Sequence, residues 1–122
     1  MLADMATRVE ASRALVARAA QALEAGSEEG GRLSAMAKLH ATDAALRVAA
    51  DAMQVLGGAA CFQGSPAERA LRDVKISQIY EGTNQIQRLV IARSLLGPDL
   101  VSRGAGSALP LPSCRREDSA SL

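Results

Sequence analysis

An all-α fold is expected of this 122-residue chain on three grounds. Hydrophobic residues make up 48% of it but aromatics only 2%, so its core must be aliphatic and rich in alanine, which is a helical composition. Apolar residues recur at spacings of three and four between Leu2 and Gly97, and no segment alternates as a half-buried strand would. Turn signals and capping residues fall between the periodic segments. At this length one domain is expected, with a stability of about 5–15 kcal/mol.

The first helix runs from Leu2, with Leu2, Met5, Val9, Ser12, Val16, Ala19 and Leu23 on one stripe, and ends at Gly26 and the polar "GSEEGG". A second helix is expected from about Leu33 to Leu56. Met36, Leu39, Leu46, Ala50 and Met53 line one face of it, and Arg47 and Asp51 form an i, i+4 pair on another. The short connection makes these two helices antiparallel neighbours. Asp43 falls on the apolar stripe with His40 one turn before it, which allows a polar contact across the bundle.

Gly57 and Gly58 stop the second helix, and "AACFQG" carries the chain to Ser65. There "SPAE" offers an N-cap serine, proline at N1 and glutamate at N3 for a short helix over about Pro66 to Val74. Periodicity then lapses until Thr83, which caps a last helix whose stripe is Ile86, Leu89, Val90 and Leu96, ending at Gly97 and Pro98. From Asp99 onward Gly, Pro, Ser and unpatterned charge predict a disordered tail over 99–122. There is no internal repeat.

Several functions are disfavoured. The net charge is +1 and the basic residues have no aromatics among them, so nucleic acid is an unsuitable partner. Cys61 and Cys114 lie far apart with a single histidine in the chain, which supports neither a disulfide scaffold nor a metal site. The N-terminal stretch is interrupted by charge every few residues, unlike a signal peptide or a membrane span, and a cytoplasmic location is expected.

Two features could bind or react. Glu81 stands just before Gly82 and the Thr83 cap, near the positive end of a helix dipole, where backbone N–H groups point toward an anion or a carbonyl oxygen. "QVLGG", Gln54 to Gly58, ends a helix in two residues without side chains, which lets a ligand approach the backbone closely. By spacing alone, a solvated glutamate and an ordinary glycine-terminated helix account for both.

Together, "LADMATRVEASRALVARAA", "SAMAKLHATDAALRVA", "DAMQVLGG" and "SPAERALRDVKISQIYEGTNQIQRLVIARSLLG" closely resemble the C-terminal helical domain of flavin-dependent acyl-CoA dehydrogenases. The likeness covers about Leu2 to Gly97, and its most specific part is "RDVKISQIYEGTNQIQR". It implies a partial up-and-down four-helix bundle over residues 1–98, with the first bundle helix missing. It also implies an oxidoreductase of fatty acid β-oxidation with FAD as cofactor and acyl-CoA as substrate. Glu81 matches the family's base, which removes the pro-R α-proton while the β-hydrogen leaves as hydride to flavin N5, giving a trans-2-enoyl-CoA.

By the same resemblance Gly82 lies against the substrate and Tyr80 lines the acyl pocket, while the Glu81 N–H and a flavin ribityl hydroxyl polarise the thioester carbonyl. Burial against flavin and acyl chain would raise the pKa of that base. Gln54, Val55, Leu56, Gly57 and Gly58 resemble the strip that meets the ADP part of the flavin from a neighbouring subunit. Thr83, Asn84 and Gln85 resemble the own-subunit flavin contact. An electron-transfer flavoprotein is the implied acceptor for the full enzyme, and a homo-oligomer, or pairing with a chain that supplies the missing domains, is the implied assembly.

Two departures stand out. Many relatives have a Gly-Tyr-Gly-Tyr type sequence where this chain has "GGAACFQGSP". Family members also run to several hundred residues, with an N-terminal helical domain and a middle β-domain that have no counterpart here. A base without its electron acceptor cannot oxidise, so the chain alone is expected to be inactive. The alternative is a non-enzymatic helical interaction module, or one piece of a split enzyme, that packs against another acyl-CoA dehydrogenase chain.

Overall fold

The structure is a computed structural model that describes residues 1–97; the expected tail over 99–122, Pro98 and Cys114 lie outside the described residues. Among those described, helices α1 (Leu2–Glu24), α2 (Gly30–Leu56), α3 (Pro66–Ser77) and α4 (Asn84–Leu96) and a 3-10 turn (Gly57–Cys61) make up the regular structure, with no strand. The chain is all-α, as expected.

Helix α2 is the axis of the fold. Helices α1, α3 and α4 all pack on it, and α1 meets neither α3 nor α4. Gly26 closes α1 with φ 64°, a left-handed backbone that glycine adopts without steric cost, and its N–H donates to the Leu23 carbonyl at 3.0 Å. That turn is short enough for α2 to begin at Gly30, three residues before the expected Leu33.

Among the described residues the buried hydrophobic ones are seven alanines and Leu33. Ala19, Leu33 and Ala37 form the centre, with Leu15, Ala22 and Met36 packed around them. Small side chains let α1 and α2 approach closely, and the larger aliphatic residues lie at the margins.

The helical periods hold, but the inward arcs differ from those expected. In α1 the residues turned from solvent are Met5, Arg8, Ser12, Leu15, Ala19 and Ala22, while Leu2, Val9, Val16 and Leu23 of the expected stripe are exposed. The apolar band is two rows wide and α2 covers one. In α2, Ala50 is exposed, although the rest of its expected face is at least half-buried. In α4 the stripe of Ile86, Leu89, Val90 and Leu96 faces outward, and Asn84, Gln87, Ile91 and Ala92 are turned inward.

Local expectations also change. Asp51 accepts from Arg8 of α1 at 2.7 Å instead of pairing with Arg47, so the carboxylate ties two helices together. Ser65 has the extended backbone of an N-cap but makes no side-chain cap bond, and Glu68 turns forward to the Arg72 guanidinium instead of back to the helix start, so the expected capping box does not form. Helix α3 runs on to Ser77, one turn past Val74. The glycine stop at Gly57 and Gly58 and the first three residues of the crossing "AACFQG" wind together into the 3-10 turn against α2 and α3.

Candidate functional site at the start of helix α4

Helix α3 ends at Ser77, and Gln78 to Thr83 form a compact turn before α4. Its backbone closes on itself: the Asn84 N–H donates to the Gln78 carbonyl at 3.0 Å. Thr83 caps α4 as expected, its Oγ1 accepting from the Ile86 N–H at 3.3 Å.

Within this turn Glu81 has φ 53°, the only positive φ at a non-glycine residue among those described. A left-handed backbone costs a residue with a Cβ about 1–2 kcal/mol, so it persists only where its surroundings impose it. Gly82 follows at φ 88°, and a Cβ there would come within 3.0 Å of Gln87 Nε2. The Glu81 carboxylate side is exposed, and among the described residues no protein acceptor takes the Glu81 N–H.

What imposes the strain is a polar network from α2. Asp43 Oδ1 accepts from Gln78 Nε2 and from Asn84 Nδ2, both at 2.7 Å, so one carboxylate binds the two feet of the turn. Its Oδ2 accepts from Arg88 Nη2 at 3.0 Å. The Lys38 ammonium donates to the Gly82 carbonyl at 2.8 Å and to Asn84 Oδ1 at 2.7 Å, and Thr42 Oγ1 accepts from Asn84 Nδ2 at 2.8 Å. Charge-assisted bonds of this kind contribute about 1.5–3 kcal/mol each, enough to offset the strained residue.

Asp43 therefore makes the cross-bundle contact that its place on an apolar stripe suggested. His40 takes no part in it and is exposed. Burial by itself pushes the Asp43 carboxyl up, but the hydrogen bonds from Asn84 and Gln78 and the Arg88 guanidinium outweigh it and hold the carboxyl below its ordinary value.

The residues singled out by sequence fall into two groups. Tyr80, Glu81, Gly82, Thr83, Asn84 and Gln85 come together at the α4 N-terminus, with Tyr80, Glu81 and Gln85 exposed. Asn84 is only 3% exposed and its side chain is occupied by Lys38, Thr42 and Asp43, leaving Gln85 and the first-turn backbone to face outward. Gln54, Val55, Leu56, Gly57 and Gly58 are exposed at the far end of α2. Lys38, which touches the turn, precedes Gln54 by 16 residues (54 − 38), or about 24 Å of helix at 1.5 Å per residue.

Lys38, Gln78 and Arg88 were not singled out by sequence, because a lone lysine, glutamine or arginine on a helix reads as a solvated group. The usable signal was the spacing of Lys38, Thr42 and Asp43, which puts three polar groups within one and a half turns of a helix whose fully buried positions are all apolar. Among the described residues no group of His, Cys, Asp and Glu could hold a metal ion, and no helix is long and apolar enough to cross a membrane. Cys61 is an exposed free thiol.

Set against known proteins, this alanine-cored helical layer matches a domain of an oxidoreductase family. Residues 1–96 match the family described as acyl-CoA dehydrogenase, C-terminal domain. The acyl-CoA dehydrogenase of Bacillus subtilis is 54% identical over 96 residues, covering 79% of this chain and 25% of that protein. A chain in a structure of the electron transferring flavoprotein of Acidaminococcus fermentans superposes with TM-score 0.75 at 48% identity, covering 80% of this chain and 25% of that one. Butyryl-CoA dehydrogenase from Megasphaera elsdenii gives TM-score 0.73 at 43% identity, covering 78% and 24%.

The chain belongs to the acyl-CoA dehydrogenase family. It spans about a quarter of the length of the curated relatives it matches.

Proposed function

We propose that this chain is the C-terminal part of an FAD-dependent acyl-CoA dehydrogenase and carries its catalytic base, Glu81. The observation that carries the reading is the backbone of Glu81: a glutamate held in the left-handed region, its N–H without a protein acceptor among the described residues, at the N-terminus of a helix. Strain of this kind is retained where geometry matters to function.

The α-proton of an acyl thioester becomes acidic enough to remove only when its carbonyl oxygen is polarised. The Glu81 N–H and the α4 N-terminus supply donors on one side of such a carbonyl, and the Glu81 carboxylate takes the α-proton. Gly82, lacking a side chain, leaves room for the thioester, and exposed Tyr80 is placed to line the acyl chain. FAD, when bound, supplies the acceptor for the β-hydride, and the product is a trans-2-enoyl-CoA.

The residues suit that cofactor. Gln85 offers its side-chain amide and its backbone N–H to a flavin of the same subunit, while the Asn84 side chain fixes that turn from within. The strip from Gln54 to Gly58, roughly 24 Å along α2 from the turn, suits contact with a flavin held by a neighbouring subunit. An electron-transfer flavoprotein is the acceptor proposed for the full enzyme.

Reconstitution tests the reading. Expressed alone, the 122-residue chain should neither retain flavin absorbance nor reduce a dye in the presence of acyl-CoA. Combined with the polypeptide that supplies the remaining domains, it should do both, and Glu81→Gln should remove turnover while flavin stays bound. Undiminished turnover in Glu81→Gln would sink the base assignment. The exposed row of Leu2, Val9, Val16 and Leu23 favours one other reading, a helical module that pairs with a related chain without catalysis. Stable pairing without turnover would support it.

A further inference from the structure

We propose that Lys38 is a positioning residue for the base: its ammonium, bonded to the Gly82 carbonyl and the Asn84 side chain, fixes the Gly82–Thr83 peptide and with it the turn from which the Glu81 carboxylate works. The inference rests on the reading of Glu81 as the base and adds what holds it in place.

The connectivity carries the argument. Gly82 O belongs to the peptide that joins Gly82 to Thr83, one unit beyond the strained residue, so whatever holds it fixes the exit of the turn and limits how Glu81 can relax. Two donors reach that oxygen, Lys38 Nζ at 2.8 Å and Gln87 Nε2 at 3.3 Å. The lysine bond is shorter and charged, and it comes from α2, which is anchored independently by α1. Gln87, whose Nε2 also donates to the Glu81 carbonyl at a long 3.4 Å, belongs to α4, so its amide moves with the turn that it would have to restrain.

The second Lys38 bond, to Asn84 Oδ1 at 2.7 Å, couples the middle of the turn to its foot. Asn84 passes the restraint to Asp43, which also holds Gln78. Start, middle and end of the segment from Gln78 to Asn84 are thus referred to one turn and a half of α2. None of these groups reaches the Glu81 carboxylate, so Lys38 acts on the base through its backbone.

Replacing Lys38 by methionine keeps the aliphatic stem and removes the donor, while arginine keeps a charged donor. In two-dimensional NMR of the 122-residue chain, Lys38→Met should shift and broaden the Tyr80, Glu81 and Gly82 amide signals and leave those of Ala19 and Ala49 in place. Lys38→Arg should restore most of the native pattern. In the enzyme assembled with its flavin-binding domains, Lys38→Met should lower kcat about a hundredfold, the effect of misplacing a reacting group by an ångström, with KM little changed. Lys38→Arg should recover most of that loss.

Unmoved turn signals together with native kcat in Lys38→Met would overturn the inference, as would a collapse of amide signals throughout the chain, which marks a general stabilising role. Glu81→Gln is the control for the underlying reading. If it kept full turnover while Lys38→Met still released the turn, the base assignment would fall and the bracing of the turn would stand.

Discussion

Asp43 shows how much of the site hangs on one side chain. It accepts from three donors on two elements, and together they hold its carboxyl below the ordinary value despite partial burial. A carboxyl with a depressed folded-state pKa contributes stability that is present above its unfolded value, about 3.9, and lost as pH falls through the folded one. The turn from Gln78 to Asn84 should therefore loosen only below about pH 4, with the Asp43 carboxyl carbon titrating below the ordinary midpoint in NMR. Asp43→Asn should lose the Arg88 ion pair at every pH and remove that acid-dependent step; a carboxyl midpoint at or above the ordinary value would contradict this account. At this scale the sequence was partly legible. A carboxylate on an apolar stripe must find a partner, which pointed to Asp43, whereas Lys38 gave no such signal because a lysine on a helix is normally solvated. Asn84 was read as a cofactor contact from its motif, yet its side chain is spent within the protein, a fact that depends on residues some 40 positions away.

The helices were legible because periodicity, caps and glycines agree within each segment, and every expected helix is present. Their orientation was less so: a periodic band says which residues are apolar, not which of them a neighbour covers. In α1 the band from Leu2 to Leu23 splits into a row against α2 and a row facing out, and in α4 the face that runs from Asn84 to Ile91 packs inward because Asn84 answers Lys38 and Asp43. The capped start of α4 offers a test at this scale. Thr83→Ala removes the acceptor for the Ile86 N–H and should cost about 1 kcal/mol. Gly82→Ala combines a positive φ with a Cβ 3.0 Å from Gln87 Nε2, and should cost about 1–2 kcal/mol. In thermal melts of a domain this size each kilocalorie lowers Tm by about 4–8 °C, so both variants should melt measurably early and Gly82→Ala should melt no later than Thr83→Ala. A Gly82→Ala variant with native Tm would show that the turn does not require its left-handed geometry.

Across the whole molecule the decisive feature is what remains uncovered. Helices α1 and α4 flank α2 without meeting, leaving a cleft of about 480 Å3 lined by Leu15, Leu39 and Ile91 together with Arg8, Arg47 and Arg88. Beside it Leu2, Val9, Val16 and Leu23 recur every seventh residue along about 32 Å of α1, all exposed. A core of seven alanines and one leucine gives each buried position little apolar area, whereas each uncovered valine or leucine would contribute about 1.5–3 kcal/mol if buried. A free energy gain of that size favours covering the seam, and in a solution of this chain alone a second copy can supply the cover. Sedimentation should accordingly show association that grows with concentration. Val9→Glu with Val16→Glu places two carboxylates on the seam without touching the α2 contact row, and should weaken association at least tenfold while the helical circular dichroism stays unchanged. Adding the polypeptide that supplies the remaining domains should compete with self-association in the native chain and bind the double variant less well. A native chain that stayed monomeric at every concentration, or a double variant that associated as strongly, would mean that the exposed seam does not drive assembly.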